Sequence, residues 1–185
     1  MSSHETRITV GVSKHVLIGT LPLAGTRIQE RLNDSRTDVI ALTDVEVWSH
    51  VNRQCVARLP MAVVPKSQIE YLLIPGDSHE APQKRWNNHT RKKVFPAFAV
   101  VSDCSVSGEI HLATEPTDVW YTLSQQLPRF FAITEASFRG FAGEQLDVSL
   151  VIANRDYVTC FHAGSTVAGD RSQADRHPAV AAIPH

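Results

Sequence analysis

Several familiar features are missing from this chain of 185 residues, and each absence removes a class of function. No apolar run approaches the ~20 residues that a membrane-spanning helix needs, so no membrane association is expected. Met1-Ser2-Ser3-His4-Glu5-Thr6-Arg7 has no basic region followed by an apolar stretch, so no secretory leader is expected either. Cysteine is scarce. Cys55, Cys104 and Cys160 form an odd set without a CxxC pair, which argues against a disulfide framework and fits a reducing cytoplasm. GxSxG, HExxH, the P-loop and GxGxxG are all absent, so no catalytic residue is assigned and no cofactor is expected. Cys160 and His162 would share a strand face and offer two metal ligands, but nothing nearby supplies a third, so no metal site is assigned.

Net charge is also nearly absent, at −1, but its distribution is uneven. Residues 7–74 carry 8 Lys/Arg against 6 Asp/Glu, a net of +2, and residues 75–95 carry 5 against 2, a net of +3. Residues 96–161 carry 3 against 8, a net of −5. Unlike signs on the two stretches suggest mutual attraction more readily than one phosphate-binding surface.

What the chain does have is an internal echo. Leu17-Ile18-Gly19-Thr20-Leu21-Pro22-Leu23 returns as Val106-Ser107-Gly108-Glu109-Ile110-His111-Leu112 at an offset of 89. Leu42-Thr43-Asp44-Val45 returns as Ile133-Thr134-Glu135-Ala136 at 91, and residues 62–69 return as 151–158 at 89. Three blocks in one order at nearly one offset read as a duplication, and hence as two copies of a small module packed about a pseudo-two-fold axis. The boundaries that follow are a tail at 1–6, a first module at 7–74, a polar basic linker at 75–95, a second module at 96–163 and a disordered tail at 164–185. A module of this size has a marginal core, so each copy is expected to lean on the other.

Within each module the periodicity gives β-β-α-β-β-β. Val106, Ile110 and Leu112 alternate with Ser105, Ser107, Glu109 and His111, the period of a half-buried strand. Gly19 and Gly108 fall mid-strand, where glycine marks a bulge or a close backbone approach. Ile28 and Leu32, matched by Val119 and Leu123, suggest a two-turn helix, with Thr117 or Asp118 as N-cap in the second copy. The third strands carry Val39, Ala41, Thr43, Val45 and Val47, or Phe130, Ala132, Thr134, Ala136 and Phe138, on the main inward face. Their opposite faces begin apolar, with Ile40 and Leu42 or Phe131 and Ile133, and this second apolar face is expected to be covered by the sister copy or another subunit. The fold class expected is mainly β (α+β being possible), as two tandem barrel-like modules.

Three candidate surfaces follow. Ile40, Leu42, Phe131 and Ile133 are the expected protein interface. Lys66 and Arg155 hold the same place before the last strand of each copy, and Lys84, Arg85, Trp86, Arg91, Lys92 and Lys93 interleave cations with an aromatic in the linker; these are the nucleic-acid candidates. Asp44 and Glu135, equivalent acids, would form a carboxylate pair if the copies brought them together.

The bent strand with a central glycine, the apolar third strand, and the last strand entered through Lys66-Ser67-Gln68-Ile69 or Arg155-Asp156-Tyr157-Val158 resemble the Sm-like small barrels, including the Hfq type. Those families place an aspartate and an asparagine soon after the glycine; here a helix intervenes, and Asn33 is matched by Ser124. The resemblance implies a small barrel and, where its motifs hold, RNA contacts. The chain is also similar to bacterial two-copy proteins of unassigned function. The expected function is a non-catalytic scaffold or regulatory adaptor working through a protein partner or self-association. The alternatives are a nucleic-acid-binding Sm-like module and a small-molecule or enzymatic site between the copies.

Overall fold

The alternating stretch that opens the chain folds back on itself as a hairpin. β1 (Glu5–Val12) and β2 (His15–Pro22) pair in register from Glu5 opposite Pro22 to Val12 opposite His15, leaving Ser13 and Lys14 as the turn. Ser13 takes a left-handed φ of 51°, the backbone that lets a tight turn follow the twist of its strands. α1 (Ile28–Asn33) comes next and buries Ile28 and Leu32, the pair four residues apart. β3 (Val39–Ser49) and β4 (Cys55–Pro65) form a second hairpin, and a 3₁₀ turn over Lys66–Gln68 leads into β5 (Tyr71–Ile74). This computed structural model describes residues 5–23, 25–75, 92–140 and 143–164.

The second half runs through the same kinds of element. β6 (Lys93–Val101) and β7 (Cys104–Leu112) make a hairpin whose Ser102 again has φ 51°. β6 therefore begins inside the stretch read as linker. α2 (Val119–Tyr121) is started by Asp118, whose carboxylate accepts the Tyr121 N–H at 3.1 Å, and continues as a π-helical turn to Gln126. β8 (Phe130–Arg139), β9 (Gln145–Asn154), a 3₁₀ turn over Arg155–Tyr157 and β10 (Val158–Ala163) complete it.

All ten strands belong to one antiparallel sheet in the order β10-β6-β7-β8-β9-β5-β1-β2-β3-β4. Each half contributes a contiguous run of five, in the same sense. The join is β5 on β9, the fifth strand of one half against the fourth strand of the other. A two-fold axis would bring the reciprocal pair, β4 and β10, together as well. Those strands instead form the two ends of the sheet. The expected two-fold is thus replaced by a head-to-tail relation between unlike edges.

Both halves bend at the same place. Between Ile18 and Thr20 the register on β3 advances from Glu46 to Thr43, so β3 carries one extra residue; between Ser107 and Glu109 the partner advances from Ser137 to Thr134. Asp44 and Glu135 sit in these bulges with φ of 50° and 47°. Opposite them the sheet closes so tightly that a Cβ on Gly108 would lie 2.6 Å from the Thr134 carbonyl oxygen, and one on Gly19 3.1 Å from that of Thr43.

The bulge also corrects the expected inward face. One extra residue reverses the alternation, so the buried row in β3 runs Ile40, Leu42, Val45 and in β8 runs Phe131, Ile133, Ala136, Phe138. The row thought to face away before the bulge is the inward one.

Two clusters of buried side chains result, and each borrows from the other half. Phe130 and Ile152 from the second half pack into the cluster of Ile8, Val10, Ile28 and Ile40. Tyr71 and Leu73 from the first half pack into the cluster of Phe131, Val106 and Phe138, with the Tyr71 and Phe138 rings 4.9 Å apart.

Candidate functional site

The seam between the halves is built from backbone pairing reinforced by side chains. Tyr71–Ile74 pair with Leu150–Ala153 in four consecutive registers. Gln29 and Asn33, one turn apart on α1, reach across to β8. The Gln29 amide donates to the Phe130 carbonyl at 3.1 Å, the Asn33 amide donates to the same oxygen at 2.8 Å, and the Phe130 N–H donates to Asn33 Oδ1 at 3.0 Å. On the other side of the join, buried Asn154 donates through Nδ2 to the Ile69 carbonyl at 2.6 Å, and the Tyr157 hydroxyl donates to the Ser67 carbonyl at 2.6 Å. The backbone polar groups brought together at this join thereby find partners, as burial requires.

The two ends of the sheet are different. β4 is an edge along its whole length, with Val56, Leu59, Met61 and Val63 exposed and Val39 of β3 44% exposed beside them. Pro60 lies mid-strand, which an edge tolerates because its missing N–H faces no partner. At the opposite end, β10 exposes Cys160 and His162, and α2 exposes Trp120 to 72% and Tyr121 to 50%.

The residues singled out by sequence are distributed as follows. Ile40 and Leu42 lie in the first-half core and Phe131 and Ile133 in the second-half core, all at most 1% exposed. Each core also takes in residues of the other half, Phe130 and Ile152 beside Ile40 and Leu42, and Tyr71 and Leu73 beside Phe131 and Ile133.

Lys66 and Arg155 do hold equivalent places, and each points at the C-terminal end of its own helical segment. The buried Lys66 ammonium donates to the Arg31 and Asp34 carbonyls at 2.8 Å each and to Thr37 Oγ1 at 3.2 Å. Arg155 Nη1 donates to the Ser124 and Leu127 carbonyls at 2.9 and 3.0 Å. A cation there satisfies carbonyl oxygens that the helix leaves without partners and meets the negative end of its dipole. Burial pushes the Lys66 ammonium below its usual pKa, while nearby Asp34 pulls it back up.

Lys92 and Lys93 are exposed at the start of β6, while Lys84, Arg85, Trp86 and Arg91 lie outside the described residues. Asp44 and Glu135 are exposed on β3 and β8, with β9, β5, β1 and β2 between those strands. Among the described residues no three His, Cys, Asp or Glu side chains gather as a metal would need. Among them, too, no helix is long and apolar enough to cross a membrane. A hollow of about 180 Å³ opens at the seam between Ser13, Lys14, His50, Tyr71, Asp103 and Cys104, with both signs of charge at its mouth.

The contacts that sequence reasoning missed are Gln29, Asn33 and Asn154 at the seam and Trp120 at the open end. Asn33 and Asn154 are polar residues beside apolar runs, and the exposed Trp120 stands where the first half has Gln29. Those two irregularities in the echo were the available signals.

No family model, curated protein or solved structure matches the chain.

Proposed function

We propose that the chain is a non-catalytic protein of two tandem, barrel-like, Sm-like modules, and that it acts through protein–protein contacts as a scaffold or adaptor. The observation that carries this reading is the β4 edge. Met61 and Val63 are 60% and 57% exposed on a strand whose outer backbone N–H and C=O groups face no other strand of the sheet. Such an edge is a template for another strand, and proteins that leave one uncovered ordinarily blunt it with charge. Here Arg58 and Pro60 interrupt the strand, and the stretch from Met61 to Val64 beyond them is wholly apolar. The sequence echo supports the reading further, because β9, the counterpart of β4 in the other half, is covered by a strand. The commitment of Lys66 and Arg155 to their own helices weighs against the nucleic-acid alternative, since their charges are already engaged.

The test is a pull-down from native lysate with tagged wild type and with Met61→Lys/Val63→Lys, each with and without nuclease. The expected result is a set of bound proteins that survives nuclease and is lost with the variant. Capture that disappears on nuclease treatment, and is indifferent to the β4 change, would replace this reading with nucleic-acid binding.

A further inference from the structure

The two ends of the sheet carry the complementary parts of an interface that the chain already forms once with itself. Pairing registers make the correspondence definite. Val39 stands opposite Pro65 as Phe130 stands opposite Asn154, and Thr43 opposite Met61 as Thr134 opposite Leu150. Val39, Met61 and Val63 therefore occupy the positions of Phe130, Leu150 and Ile152. Phe130 and Ile152 are fully buried by the first half, whereas Val39, Met61 and Val63 are exposed to 44%, 60% and 57%.

The opposite end mirrors this. Gly11 stands opposite Tyr71 as Val100 stands opposite Cys160, so Cys160 and His162 occupy the positions of Tyr71 and Leu73, the residues that enter the neighbouring core at the seam. Counted from the N-caps Arg27 and Asp118, Trp120 takes the place of Gln29 and Ser124 that of Asn33. Gln29 and Asn33 bind across the seam to Phe130. Trp120 is instead 72% exposed, and the Ser124 hydroxyl is buried without a partner.

We infer that the β4 edge is covered by a second copy of this chain, joined head to tail, with β10 and α2 of one copy against β4 and the start of β3 of the next. The inference rests on reading β4 as a contact surface and names the occupant. Transferring the seam register places Cys160 opposite Val64, Phe161 opposite Val63, His162 opposite Ala62 and Ala163 opposite Met61. Trp120 then covers Val39 as α1 covers Phe130. Pairing over 61–64 stops just short of Pro60, so the missing N–H costs no ladder bond. Charge agrees, because a head-to-tail series sets the half of net +2 against the half of net −5 at every join.

The join between copies is weaker than the internal seam. Cys160 and His162 stand where Tyr71 and Leu73 bury more apolar surface, so assembly depends on concentration. Repeated joins between unlike edges close into a ring if the rotation per step divides a full turn, and run on as a filament if it does not.

The experiment uses two end-blocked full-length chains, Val63→Lys at the β4 end and Cys160→Arg at the β10 end, followed by sedimentation velocity. Both residues are exposed in the single chain, so neither change touches its cores. Wild type should sediment as a multiple of the chain, each blocked variant alone as one chain, and their equal mixture as a complex of one copy of each. Wild type that stays a single chain at every concentration overturns the inference, as does a variant that still assembles alone or a mixture that fails to combine. Failure here is distinguishable from failure of the broader reading. If the wild-type chain is a single copy yet loses its nuclease-resistant partners on Met61→Lys/Val63→Lys, protein contact through β4 stands with a different occupant.

Discussion

Phe130 and Val39 hold the same place in the two halves of one sheet, yet one is sealed and the other is 44% exposed. Nothing in the local structure separates them. Both begin a third strand, both precede a bulge, and both lie near a turn entered by a cation. The difference is that β9 has β5 beside it while β4 has no neighbour on its outer side. Burial here belongs to the position in the assembly of strands rather than to the residue, although the residue follows it: the sealed site carries the larger aromatic ring. Lys66 and Arg155 make the opposite comparison. They are unlike cations in unlike surroundings, but both cap the helical segment inserted before the third strand. The halves agree where each depends only on itself and diverge where one depends on the other.

The largest effect should come at the seam. Phe130→Ala removes a fully buried ring shared between both halves and should cost about 3–5 kcal/mol in urea unfolding. Val39→Ala, measured in dilute protein, should cost less than about 1 kcal/mol. Similar costs at the two sites would erase the contrast between sealed and open ends.

The bulges provide a finer comparison. Gly108→Ala places a Cβ 2.6 Å from a backbone oxygen that cannot swing aside, and should destabilise by about 1–3 kcal/mol. Gly19→Ala, with 3.1 Å available, should cost measurably less. Thermal midpoints of the two variants decide it, and the reverse order would mean that the halves bend differently from what these distances imply.

The capping cations should behave alike. Lys66→Ala and Arg155→Ala each leave carbonyl oxygens without a charged donor and should each lose about 1–3 kcal/mol. Both losses would appear in denaturant midpoints without nucleic acid present. A variant that kept full stability would return that cation to the list of residues available for binding.

The smallest effect is confined to the first half. The Arg36 guanidinium, and then its backbone N–H, hold the Asp34 carboxyl well below the usual carboxylate range. A carboxyl depressed on folding contributes stability above its unfolded pKa of about 3.9, and that contribution is lost as pH falls through the folded value. Arg36 is exposed and Asp34 half-buried at the surface, so solvent screens the pair, the change in stability is slight and NMR titration is the useful readout. Arg36→Ala should move the Asp34 midpoint up toward about 3.9. An unmoved midpoint would show that the contact does not persist in solution.

Much of the local architecture was legible. The repeated glycines marked the bends, because two strands can approach that closely only where one residue lacks a Cβ. Thr117 and Asp118 marked a helix start, which the Asp118 carboxylate makes, and alternation located the strands. The inward face of the third strands was misread, because a single inserted residue at Asp44 or Glu135 reverses every side chain beyond it. An acid in a left-handed bulge looks, in sequence, like any polar residue near a strand. The site fared less well. Lys66 and Arg155 were identified as equivalent, but whether a cation faces solvent or a helix end depends on where that helix stops in space.

The sequence by itself determined the order of elements, the mid-strand bends and the repeated spacing of the two halves, since turns, caps and alternation act over a few residues. Tertiary structure decided that the halves join β5 to β9 rather than like to like, and hence that the sheet ends in β4 and β10. The physical reason is that strand edges pair through backbone N–H and C=O groups common to all residues. The choice of partner is made by the packing of Phe130, Ile152, Tyr71 and Leu73 across the join, which no stretch of sequence on either side contains alone.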